Sequence, residues 1–285
     1  MSHHPLGAII CALVAALLFA VAAVAQQRAA AAVPEGASLM GSLARNPRWW
    51  AALLGDGGGY VMQVVALALG PVLLVQPILV SALVFALPLS ARLNGSRISA
   101  RTWGTALALV AALACFLIIG DPTEGNSDAP LGDWVWPLAV LLGLIAFAVV
   151  VGLRSDPTRR ALLLGAAGGS LYGLAAALTA CVADQFARGF VHLLTNWQTW
   201  ALVAAGLIGL YLQQRAFHVG PLAASLPAVT ITEPLAAAFL GLAVLDERLR
   251  TNGFGVLAIG IAVIVMCVTT IRLSRTQADA GLSAP

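Results

Sequence analysis

The chain has no lysine, so all 15 of its basic residues are arginines. Charge of either sign is scarce, at 9% of 285 residues against a hydrophobic fraction of 60%. Soluble domains carry about 25% charged residues, so this composition excludes one and specifies a single polytopic membrane domain. The net charge of +3 reads as membrane sidedness and gives no support to nucleic-acid binding. Cysteine is scarce as well. Cys11, Cys115, Cys181 and Cys267 stand singly in apolar segments with no CxxC spacing, which reads as small reduced core thiols. No glycine-rich loop ends in Lys, no nucleophile is spaced with a base, and no His/Cys/Asp group has ligand spacing. An enzyme is therefore not expected, and neither is a cofactor or a bound metal.

What is present is a succession of apolar runs long enough to cross a bilayer, which takes about 20 residues. The first, Leu6 to Ala25, lacks a basic leader and exceeds a usual secretory core, so a retained helix is expected. The second starts at the interfacial pair Trp49-Trp50. A turn at Gly70-Pro71 leads to the third, and the fourth covers Trp103 to Ile119. An acidic loop follows, with Asp121, Glu124, Asp128 and Asp133. The fifth span is Trp134 to Leu153, the sixth Ala161 to Val182, the seventh Trp197 to Phe217 and the ninth Gly255 to Ile271. The eighth is the stretch from Gly220 to Arg250, which carries Glu233 near its middle.

Nine spans put most of the arginines on one side, among them Arg92, Arg97, Arg101, Arg154, Arg159, Arg160, Arg215, Arg272 and Arg275. The other side keeps only Arg188, Arg248 and Arg250. The positive-inside rule then places the C-terminus in the cytoplasm and the N-terminus outside the cytoplasmic (inner) membrane. The halves also match at a constant offset of 150 positions, with Asn46, Trp50, Gln63, Gly70, Pro71 and Pro77 answering to Asn196, Trp200, Gln213, Gly220, Pro221 and Pro227. The expected architecture is all-α: two four-helix repeats (residues 5–120 and 160–272) joined by a linker helix at 134–153. An odd linker inverts the second copy, the arrangement of alternating-access transporters.

A carboxylate at mid-depth costs roughly 2.5–3.5 kcal/mol on insertion scales, so Glu233 and Asp56 need a reason. Trp49, Asp56, Tyr60 and Gln63 fall on one helical stripe. Ser225, Thr232 and Glu233 share a face of the eighth span. Each acid is unique to its half, with Gly206 opposite Asp56 and Leu83 opposite Glu233. One reading has both acids lining a polar path, binding a proton or the cationic part of a substrate. The other makes them interhelical hydrogen-bonding groups. Gln63, Gln213, Gln76 and Tyr172 are further path candidates. Gly57, Gly58, Gly59, Pro77, Pro227 and Pro234 are expected to interrupt their helices. Gly165, Gly169 and Gly173 form a small-residue stripe that reads as helix packing.

The segment FHVGPLAASLPAVTITEPLAAAFLGLAVLDERL resembles the paired-helix signature of the drug/metabolite transporter superfamily, EamA-like branch, with Gly241, Glu247 and Arg248 at its end. The stretch WWAALLGDGGGYVMQVVALALGPVLLVQPILV is similar to the equivalent segment of NIPA-type magnesium transporters. The resemblance implies a secondary transporter that moves a small metabolite or amphipathic organic molecule, with a coupling proton and membrane lipids as partners. A magnesium carrier, a flippase for lipid-linked sugars and a non-transporting assembly subunit are the alternatives. Neither resemblance fixes the oligomeric state.

Overall fold

The structure is a computed structural model that describes residues 5–31, 45–93, 95, 97–123, 125–126, 128–220, 222–251 and 253–282; Pro221 and Glu124 lie outside the described residues. Those residues form eleven helices and no strand. In chain order they are α1 (Pro5–Ala31), α2 (Pro47–Leu69), α3 (Val72–Leu79), α4 (Ala82–Leu93), α5 (Ala100–Gly120) and α6 (Leu131–Leu153). They continue with α7 (Pro157–Arg188), α8 (Phe190–Thr195), α9 (Trp197–Val219), α10 (Leu222–Ala243) and α11 (Phe254–Leu282). Among the described residues eight stretches are long and apolar enough to cross a membrane, with α3 and α4 together making one of them. The sequence reading has nine, the difference being α9. That helix has the length, but Gln198, Gln213, Gln214, Arg215 and His218 dilute its apolar character.

The outward faces are those of a membrane protein. Trp136, Val140, Leu142, Leu144, Phe147 and Val150 of α6 are exposed, as are Leu107, Ile118, Val256, Leu257, Ile261 and Ile264 on α5 and α11. Contiguous apolar surface on this scale is stable only against lipid. Helix α6 is the most peripheral span and α7 the most buried. At 32 residues and 1.5 Å per residue, α7 exceeds the ~30 Å hydrocarbon thickness. It is the central post, packing against α10, α9, α6 and α2.

Glycine lets α7 approach its neighbours so closely. A Cβ on Gly165 would lie 2.8 Å from the Ser225 carbonyl oxygen, one on Gly169 would strike Val229 and Thr232, and one on Gly173 would lie 2.7 Å from Ala236 Cβ. The small-residue stripe is therefore the α7–α10 seam. On another face of α7, Gly168 abuts Gly209 and Gln213 of α9.

Similar contacts occur in the two halves, displaced by 150 positions for Gly59, Gly70 and Ala86 and by 153 for Phe19, Ala8 and Ala20. Gly59 of α2 rests on the Phe19 ring of α1, and Gly209 of α9 rests on the Tyr172 ring of α7. Gly70 meets Ala8 at the start of α1, and Gly220 meets Ala161 at the start of α7. Ala20 and Ala86 share a small cluster, as Gly173 and Ala236 meet in the second half.

Two expected interruptions fall where the chain does not break. The α2 ladder runs unbroken through Gly57, Gly58 and Gly59, because Gly58 and Gly59 are used to admit Leu18 and Phe19 of α1. Pro227 and Pro234 lie inside an unbroken α10. Its seam against α7 holds the helix in line, and Thr230 and Thr232 hydroxyls donate to the Leu226 and Ala228 carbonyls one turn back. Pro77 does precede a break. After it Val80 and Ser81 bond back to Pro77 and Ile78 at 3.2 and 2.9 Å, a tight turn that separates α3 from α4. The eighth span also ends earlier than the stretch to Arg250, since α10 stops at Ala243 and residues 244–250 form a loop.

The seam yields a steric prediction. Gly169→Ala forces overpacking and lowers stability by about 1–3 kcal/mol. Gly206→Ala, where nothing lies within 4 Å of the added Cβ, is neutral or slightly stabilising through helix propensity. Thermal unfolding of the two purified variants in one detergent checks the contrast.

Candidate functional site

The face of α2 carrying Gly55, Gly58 and Gly59 is pressed onto α1, which leaves Asp56 half-buried on another side of the helix. One turn on, the Tyr60 hydroxyl meets Thr179 Oγ1 of α7 at 3.2 Å. Thr179 spends its own proton on the Ala175 carbonyl at 2.7 Å, so Tyr60 is the donor of the interhelical bond. On α10, Glu233 follows Thr232 and is half-buried. Asp56 and Glu233 lie within Coulombic reach of each other, and both act on Tyr172 of α7. The Tyr172 hydroxyl donates to Gln213 Oε1 of α9 at 2.8 Å. Four helices, α2, α7, α9 and α10, thus bring Asp56, Glu233, Tyr172 and Gln213 to one polar locus.

The other sequence candidates divide. Thr232 serves the seam: its hydroxyl donates to the Ala166 carbonyl of α7 at 2.9 Å as well as to its own helix. Ser225 is fully buried where Gly165 approaches it. Gln63 is buried in α2. Gln76 is buried in α3, and among the described residues its Nε2 has no hydrogen-bond partner; an unpaired amide costs about 1–3 kcal/mol. Leu83 and Gly206, which stand opposite the acids at the 150-position offset, do no polar work. Leu83 packs in an apolar cluster with Val80, Leu87, Ala106, Leu109 and Leu273, and Gly206 faces open space.

Sequence reasoning passed over Thr179 and named Glu247 only as part of a family signature. Thr179 carried only the weak signal of a hydroxyl in an apolar run. Glu247 was read as part of a terminal motif beside Arg248, yet it is 2% exposed and reaches across the fold. Its Oε1 accepts the Val72 N–H at 2.6 Å and its Oε2 the Leu73 N–H at 2.7 Å. Those donors belong to the first turn of α3, whose N–H groups have no partner within the helix and whose dipole favours a negative charge. Gly241 makes room, because a Cβ there would lie 2.8 Å from Glu247 Oε2.

Glu247 belongs to a knot of loops at one end of the bundle. Thr123 N–H donates to the Arg248 carbonyl at 2.7 Å and Asn126 N–H to the Leu245 carbonyl at 2.5 Å. Pro122 and Leu249 form an isolated bridge. Arg248 pairs with Asp246 at 2.9 Å and Arg250 lies 3.9 Å from Asp121. Both Asp121 and Asp246 adopt positive φ, at 37° and 52°, which non-glycine residues rarely do. At the opposite end, Arg160 donates to the carbonyls of Gly152 and Leu153, closing the C-terminus of α6.

Comparison with known proteins places the chain in a family. It is 39% identical over 279 residues to an uncharacterized protein of Corynebacterium glutamicum, covering 95% of each chain. The chain belongs to the same family as that protein. No family model matches it, and no solved structure matches it.

Burial pushes the Glu247 carboxyl up to about 7, against the two N–H bonds that pull it down. The folded protein therefore holds a proton here that the unfolded chain releases above its usual value of 4.5. The group's contribution to stability is full below that pH, declines as pH rises to about 7, and is flat beyond. Glu247→Gln sets an amide NH2 against one of the two backbone donors, and the donor left unpaired costs about 1–3 kcal/mol. Melting temperatures of wild type and variant at pH 4.5 and pH 8 check the sign: the wild type's advantage should be the smaller at pH 8.

Proposed function

We propose that the protein is a secondary transporter of drug/metabolite type, working by alternating access between two inverted four-helix repeats. In this reading α1–α5 form one repeat, α6 is the linker, and α7 with α9–α11 forms the other. The recurrence of the Phe19–Gly59 contact as Tyr172–Gly209, and of Ala8–Gly70 as Ala161–Gly220, supports the repeat. The loop contacts support nine crossings. The turn before α3 meets the loops after α5 and α10 at one end, and the α6–α7 turn meets the α9–α10 turn at the other. Each meeting joins ends that nine alternating spans put on the same side. The second end is the arginine-rich one, hence cytoplasmic by the positive-inside rule, with the start of α1 outside.

The observation that carries the transport reading is the convergence of Asp56 and Glu233, one from each repeat, on Tyr172 and Gln213. A fold held together only by packing has no use for two interacting carboxyls in a lipid-embedded bundle. Membrane-embedded acids of this kind mark proton relays and substrate paths. The cargo class that fits is a small metabolite or amphipathic organic molecule with a cationic or hydrogen-bonding group, exchanged against a proton. Mg²⁺ is disfavoured as cargo. It takes six oxygen ligands, and among the described residues no three His, Cys, Asp or Glu side chains gather at one place.

The knot around Glu247 acts as a latch in this scheme. It ties the α10–α11 loop of the second repeat to the start of α3 in the first, closing the outer end while the opposite end gives access.

The test is uptake of a substrate panel into proteoliposomes with and without a pH gradient. Wild type should accumulate one class of organic substrate in a gradient-dependent way. Asp56→Asn and Glu233→Gln should fold and reconstitute normally yet lose at least tenfold in rate. Wild-type rates in both variants would sink the proposed site.

A further inference from the structure

A second site lies away from the acidic locus, at the arginine-rich end between α5 and α11. A cavity of about 460 Å³ is lined there by Arg101, Thr102 and Thr105 from the first turns of α5, and by Arg272, Leu273, Arg275 and Thr276 from α11. Among the described residues no acidic side chain lines it, and none of the three guanidinium groups forms an ion pair. Two other arginines at this end are spoken for: Arg159 pairs with Asp156 at 3.4 Å, and Arg160 bonds the last carbonyls of α6. Sidedness alone asks only for positive charge in the loops and does not gather three unpaired guanidinium groups around one cavity. Three such charges in one recess repel each other, and an anion of matching shape removes that cost.

We infer that this cavity binds the phosphate of an anionic phospholipid headgroup. Guanidinium groups grip phosphate oxygens in bidentate fashion. The positive end of the α5 dipole adds to the same field. Basic pockets between membrane helices on the cytoplasmic side are suited to such headgroups. The membrane-borne source is favoured by position: Trp103, one residue after Thr102, is 42% exposed, as an aromatic at headgroup level is. The headgroup bridges the start of α5 in the first repeat to the end of α11 in the second, at the end opposite the Glu247 latch.

The experiment titrates purified full-length protein with short-chain phosphatidylglycerol and counts bound lipid by native mass spectrometry. Wild type should hold one phosphatidylglycerol in preference to phosphatidylcholine. Replacing Arg101, Arg272 and Arg275 together by Gln should weaken that binding on the order of 100-fold, since each interfacial charge contributes about fivefold. The Lys triple variant keeps charge and topology but loses the bidentate geometry, and should weaken it roughly tenfold. Arg154→Gln combined with Arg159→Gln, at the same end but outside the cavity, should leave it unchanged. Equal weakening in that control pair would show diffuse surface attraction and overturn the site. Undiminished binding in the Gln or Lys triple variant would overturn it too. Displacement of the lipid by equimolar inorganic phosphate would reassign the cavity to a soluble anion and overturn the lipid source.

Discussion

A carboxyl group placed within hydrocarbon must find polar company, and this bundle is arranged to supply it. Glu233 on α10 and Asp56 on α2 come near enough for their charges to interact because both helices pack against α7. The Gly165–Gly169–Gly173 seam brings α10 against α7. The Tyr60–Thr179 bond brings α2 against it from another side, and Gly168 against Gly209 brings up α9 with Gln213. Replace the glycines of α7 with larger residues and the acids separate, each then carrying alone a cost of roughly 2.5–3.5 kcal/mol.

The scaffold is far more symmetric than the chemistry it carries. Two glycine contacts at α1–α2, Phe19–Gly59 and Ala8–Gly70, have counterparts in Tyr172–Gly209 and Ala161–Gly220, whereas the polar groups do not recur. The position of Glu233 is taken in the first half by Leu83, absorbed in an apolar cluster. The position of Asp56 is taken in the second half by Gly206. Glu247 caps the start of α3, and its repeat partner Ser96 carries no charge. In the proposed cycle this division has a physical sense. Packing shared by both repeats makes the two end states similar in energy, and unshared polar groups give the exchange its ligand and direction.

Much of the fold was legible because span length is a one-dimensional quantity. Trp49-Trp50, the Gly70-Pro71 turn and the acidic loop mark boundaries that need no tertiary knowledge. The glycine stripe of α7 was legible for the same reason, since its period alone assigns it to packing. Helix interruption was not. Gly57–Gly59, Pro227 and Pro234 weaken a helix in isolation, but a tight neighbour holds it straight, and only Pro77, where the chain turns at Val80–Ser81, precedes a break. Glu247 was hidden for another reason. A loop acid beside two arginines looks like a surface ion pair, and its actual partners are backbone N–H groups 174 and 175 positions away, which no local pattern records. The meeting of Asp56 with Tyr172 and Glu233 is likewise long-range; sequence named the residues but not their company.

The central claim is that Asp56 and Glu233 act as one unit. A double-mutant cycle on Asp56→Asn, Glu233→Gln and the combined variant, read by thermal unfolding in one lipid mixture, measures their coupling directly. The account predicts a coupling free energy of about 0.5–3 kcal/mol, as found for residues within one interacting network. Strict additivity of the two substitutions would contradict it.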